Sequence, residues 1–154
     1  MIKVHIIAPL RFIYAVLPNM MDKRKGIIIN LSSLASFIPI PRDSVYSATK
    51  LFQNSLMESL HISLKEKGIK IQVLCPGFVK TDFHKNISTE IAELKKREII
   101  PWMHPDEVVK ISINNLRKRN KVIVLPGFTC KILKFIYTII PYPVYYQIAN
   151  KYLS

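Results

Sequence analysis

Glycine is scarce in this chain. Its 154 residues hold four, Gly26, Gly68, Gly77 and Gly127, too widely spaced to form a Gly-rich loop that cradles phosphate. Cysteine is scarcer: Cys75 and Cys130 are too few for a disulfide framework and match no zinc-ligand spacing. His61, His84 and His104 likewise have no partner at ligand spacing, so no metal site is expected; with so few cysteines, a reducing cytoplasm is the expected setting. Acidic residues number 10 against 23 Lys and Arg, a net charge of +13 that points toward an anionic partner, cofactor or surface. Long hydrophobic runs are missing too. The most apolar window, 135–146, is about half of the roughly 20 residues that a bilayer crossing needs, and it contains Pro141 and Pro143. The first residues carry no secretory pattern. An apolar share of 49% excludes a wholly disordered chain, and the length suits one domain.

Apolar residues at Ile2, Ile6, Leu10, Ile13 and Leu17 recur at helical spacing, with Pro9 as a kink or a late start. Ile27 to Leu31 reads as a strand buried on both faces, because β-branched residues run without alternation. Ser44 is the expected N-cap of a long helix from about Val45 to Lys67, stopped by Gly68. A strand over 69–74 follows, then helices over 87–98 and 105–119, a short strand over 121–125 and an apolar, basic helical tail. This alternation predicts an α/β fold: a partial Rossmann-like, doubly wound parallel sheet of about three strands with crossover helices. The division expected is 1–128 for the sheet unit and 129–154 for the tail.

Three segments carry chemistry. Ile29-Asn30-Leu31-Ser32-Ser33 ends the first strand, where open α/β sheets bind ligands. Thirteen residues after Ser33, Tyr46-Ser47-Ala48-Thr49-Lys50 places Tyr46 and Lys50 on one helix face. Cys75-Pro76-Gly77-Phe78-Val79-Lys80-Thr81-Asp82-Phe83 leaves the second strand at the same sheet edge. Alone, a Tyr-x-x-x-Lys pair is a weak signal; joined to the other two segments it is strong, and the chain resembles the short-chain dehydrogenase/reductase family over essentially its whole length. The resemblance implies an NAD(P)-dependent oxidoreductase that reduces a carbonyl or oxidises an alcohol by hydride transfer. Tyr46 is then the proton donor and Ser33 the group that hydrogen-bonds the substrate oxygen. Lys50 should lower the tyrosine pKa from near 10. NADP or NAD would be held by Tyr46, Lys50, Pro76, Gly77, Val79 and Thr81.

Two departures qualify the resemblance. The family's Thr-Gly-x-x-x-Gly-x-Gly and Asn-Asn-Ala-Gly segments do not occur in these residues, which implies a carboxyl-terminal half about 100 residues short and inactive by itself. At the family's fourth catalytic position, normally Asn within Val-Asn-Val-x-Gly, stands His5 in Val4-His5-Ile6-Ile7-Ala8. The partners expected are a small carbonyl or alcohol substrate of hydrophobic character and either a second copy or the missing half; no specific nucleic acid is expected. The alternative is a non-catalytic, peripheral membrane-associated module, because Lys131, Lys134 and Lys151 flank the aromatics and aliphatics of the tail. The tail's other reading is a substrate lid.

Overall fold

The computed structural model describes residues 1–41, 43–81 and 101–152. The helix expected over 87–98 lies outside them, as do Asp82, Phe83, Ile99 and Ile100. A π-turn over Lys3–Ile7 runs into α1, Ala8–Asp22. Strand β1 (Gly26–Leu31) and a short 3-10 turn (Leu34–Ser36) lead to α2 (Ser44–Leu64), which closes through a second 3-10 turn, Lys65–Lys67. Then come β2 (Ile69–Leu74), α3 (Pro105–Lys118), β3 (Ile123–Val124), α4 (Phe128–Ile139) and α5 (Tyr142–Tyr152). The three strands are parallel in the order β1-β2-β3, with Gly26 opposite Ile69 and Val73 opposite Ile123. This is the α/β sheet with crossover helices that the sequence predicts.

Helices cover both sides of β2. On one side Ile69, Ile71, Val73 and Cys75 pack with Ile13 and Leu17 of α1 and with Met57 and Leu64 of α2. Met57 and Val73 are fully buried, and burial of each such side chain stabilises the fold by about 1.5–3 kcal/mol. On the other side Leu74 packs with Val108 of α3 and Val124 of β3. Gln72, fully buried on that face, donates from Nε2 to Ser112 Oγ and accepts at Oε1 from Asn115 Nδ2 at 2.7 Å. These bonds satisfy a buried amide and fix α3 against the sheet.

Four expectations change. β1 is not buried on both faces: Ile27, Ile29 and Leu31 are 54%, 45% and 58% exposed, because α3 covers β2 and β3 but not β1. β3 is shorter than 121–125, because the Asn115 side chain binds both the Lys121 N–H and its carbonyl, tying that residue to α3. The N-cap position of α2 is Asp43, whose carbonyl takes the Ser47 N–H at 2.9 Å, so Ser44 is already helical. Among the described residues, the run that comes nearest to a bilayer span is not in the tail. It is the helical stretch Lys3–Asp22, 20 residues of mean hydropathy 1.3, long and apolar enough by length and composition to cross a bilayer. In this fold its Ile13 and Leu17 belong to the core.

Candidate active site

Ser33, Tyr46, Lys50 and His5 come together beyond the carboxyl end of β1. The loop that carries Ser33 is held from several directions. The Ser32 N–H donates to the Leu74 carbonyl at 2.8 Å and its hydroxyl to the Lys50 carbonyl at 3.0 Å. The Ser33 Oγ caps the following 3-10 turn by accepting from the Ala35 N–H at 3.2 Å. Ser36 Oγ donates to the Ser33 carbonyl at 2.6 Å and accepts from Asn54 Nδ2 at 2.7 Å, so α2 is tied to the loop through a buried polar network. Cys75 lies at the far end of this network, its thiol 3.6 Å from Asn54 Oδ1. Burial pushes that thiol up to about 11, so it stays protonated at neutral pH.

Lys50 is buried, and its ammonium donates to the Leu31 carbonyl at 2.9 Å and to Gln53 Oε1 at 3.2 Å. It lies 5.7 Å from the centre of the Tyr46 ring. Burial lowers the lysine pKa. The Tyr46 pKa is raised: burial is the main cause, the Ser33 hydrogen bond acts against it, and Asp43 adds to the rise. The net shift is thus upward, against the expectation of a tyrosine brought below 10 by Lys50. Its ammonium is engaged with Leu31 and Gln53, and desolvation of the phenol prevails. Tyr46 therefore keeps its proton at neutral pH.

His5 lies beside this cluster, its ring edge-on to Tyr46 at 5.7 Å between centroids. Thr49 Oγ1 donates to the Tyr46 carbonyl at 2.8 Å and lies 3.0 Å from His5 Nδ1. With the one hydroxyl proton used, Nδ1 is the donor, which leaves Nε2 as the acceptor of a neutral imidazole. Burial, Lys50 and the chain's amino group all lower the His5 pKa and favour that neutral form.

Gln53 is the residue that sequence reasoning missed. It is 3% exposed and joins Lys50 to His5, because Nε2 donates to the His5 carbonyl at 2.7 Å. That carbonyl is available because residue 9 is proline and has no N–H to return to the fourth preceding residue. The π-turn over 3–7 precedes that proline. A polar residue three positions after Lys50, on its helix face, was the available signal.

The proposed cofactor positions separate. The Pro76 carbonyl takes the Leu34 N–H at 2.8 Å, so Pro76 and Gly77 adjoin the Ser33 loop. Val79 forms an isolated parallel bridge with Met103, and Phe78 stacks on Trp102 at 5.1 Å. Thr81 is exposed, at the end of the described stretch. Of the three Lys50 ammonium protons, two are used by Leu31 and Gln53, which leaves one for a ribose hydroxyl. The nicotinamide end of a dinucleotide therefore fits this cluster. Among the described residues, no group of three or more His, Cys, Asp or Glu could hold a metal ion.

The family described as short chain dehydrogenase matches residues 1–92. The chain belongs to the short-chain dehydrogenase family. A very-long-chain 3-oxoacyl-CoA reductase of Macaca fascicularis is 29% identical over 150 residues, 97% of this chain and 44% of that protein. The Rattus norvegicus reductase of the same name is 38% identical over 85 residues, 55% of this chain and 27% of that protein. The chain thus spans less than half the length of these relatives. Among solved structures, a 7beta-hydroxysteroid dehydrogenase superposes with a TM-score of 0.79 at 19% identity, over 97% of this chain and 57% of its own. A gluconate 5-dehydrogenase of Burkholderia cenocepacia, in complex with NADP and tartrate, gives 0.71 at 21% identity, over 85% of this chain and 55% of its own. At such identities the superpositions show the fold.

Proposed function

We propose that the chain carries the proton-transfer half of a nicotinamide-dependent oxidoreductase acting on a carbonyl, with a long-chain 3-oxoacyl thioester as the substrate class. The observation that carries this reading is the convergence of Ser33, Tyr46 and Lys50 in one cluster, with the tyrosine protonated. The nicotinamide supplies the hydride when bound. Tyr46 Oη would give its proton to the carbonyl oxygen, and the Ser33 hydroxyl would hydrogen-bond the same oxygen as charge develops there. Lys50, held by Leu31 and Gln53, keeps one donor for the ribose and places a positive charge beside the phenolate that forms. Pro76 and Gly77, next to the Ser33 loop, would line the nicotinamide end. The substrate class follows the names of the two reductases and accords with the apolar Phe78–Trp102 stack.

No Gly-rich pyrophosphate loop occurs in these residues, so turnover is proposed to require a segment that supplies one. The test joins the chain to the amino-terminal portion of a related reductase. Oxidation of NADPH, and separately of NADH, is then followed with a long-chain 3-oxoacyl thioester. Turnover is expected, with Tyr46→Phe lowering kcat by about 10²–10⁴. Undiminished turnover in Tyr46→Phe would remove the proposed role.

A further inference from the structure

Residues 108–154 hold eight Lys and Arg and not one Asp or Glu, so most of the net charge of +13 lies in this last part of the chain. The structure gathers it. A groove of about 510 Å³ between the end of α3, β3 and α4 is lined by Lys118, Arg119, Lys121, Lys131 and Lys134, and no carboxylate among the described residues lines it. Beside the groove, α4 presents Phe128, Ile132, Phe135, Ile136 and Ile139 to solvent, an unbroken stripe at helical spacing. Phe128, Phe135 and Ile139 are 76%, 64% and 61% exposed. On α5, Tyr142, Val144, Tyr146 and Ile148 are exposed as well.

The opposite side of the tail is anchored. Cys130, Tyr145 and Ala149 are buried, the Tyr145 hydroxyl donates to the Pro39 carbonyl, and the Lys134 ammonium lies 4.1 Å from the centre of the Phe37 ring. The tail thus leans on the loop that follows Ser33 and turns an apolar stripe, bordered by cations with no carboxylate beside them among the described residues, to the outside. A nucleic acid would use the cations but leave an aliphatic stripe wet. A bilayer interface uses both: phosphate headgroups meet the cations and the acyl boundary takes Phe135 and Ile139.

We propose that this face, the basic groove together with the outer stripe of α4, docks on an anionic phospholipid surface, the groove receiving headgroup phosphates. The proposal is independent of the catalytic reading and is tested without turnover. The full chain is sedimented with vesicles of phosphatidylcholine alone and with vesicles containing about one-third phosphatidylserine. Binding at least tenfold stronger to the anionic vesicles is expected, and it is lost as salt rises from about 0.1 to about 0.5 M. Lys118→Gln with Lys131→Gln should weaken it about thirtyfold, from about 1 kcal/mol per cation at the surface. Phe135→Ser with Ile139→Ser should weaken it while the salt dependence persists. These side chains are exposed, and circular dichroism checks the fold of each variant. Should the first pair misfold, Arg119→Gln with Lys121→Gln reads the same groove. Equal binding to both vesicle types, no binding, full binding by either charge variant, or tighter binding to a short RNA than to the anionic vesicles would overturn the proposal.

Discussion

At His5 the imidazole pKa is held below its ordinary 6.5 by burial first, then by Lys50 and the chain's amino group. The unfolded chain therefore binds more protons than the folded one between the depressed folded value and 6.5. Stability is full above the unfolded value and falls as pH drops through that window. The urea midpoint of the chain should decrease between about pH 7.5 and about pH 5, and His5→Asn should lose that component. An identical pH dependence in His5→Asn would show that the ring is not coupled to folding. The residue scale is also where spacing alone was least sufficient. The offset of Ser33, Tyr46 and Lys50 was legible because a strand end and one helix face bring them together. The direction of the Tyr46 shift was not, since it depends on the desolvation of the phenol by surrounding atoms. The Gln53 bridge to the His5 carbonyl joins residues 48 apart in the chain; the polar position three after Lys50 was visible, but its partner was not.

Among the elements, the junction between α2 and β2 rests on Gly68, whose φ is +75°. A Cβ there would sit 2.1 Å from the Arg24 carbonyl oxygen, so backbone rather than a flexible side chain would have to shift. Gly68→Ala should destabilise the chain by about 1–3 kcal/mol, read as a lower denaturant midpoint; an unchanged midpoint would show that this turn relaxes freely. The stop at Gly68 was legible because glycine alone adopts that backbone without penalty. The length of β3 was not, because Asn115 on α3 competes for Lys121. Pro9 announced an irregularity in the first helix. Only the folded arrangement showed it to be preceded by a π-turn, with the freed carbonyl taken by α2.

For the whole molecule, the uncovered face and free edge of β1 set the expected behaviour in solution. Ile27, Ile29 and Leu31 are exposed together on a parallel strand whose outer edge has no partner among the described residues. Flat apolar edges associate. The purified 154-residue chain should therefore run above monomer mass in sedimentation and show a broad unfolding transition; a monomer with one sharp transition would sink this expectation. The order of strands and helices, the placement of the three chemical segments at one sheet edge and the concentration of cations toward the carboxyl end were determined by the sequence alone. Each depends on periodicity, turn residues or composition, which act over a few positions. The tertiary structure decided which face of β1 is covered, in which direction the Tyr46 pKa moves and which cations share a groove. Burial and electrostatic neighbourhood are set by residues distant in the chain, and they exist only once the elements have packed.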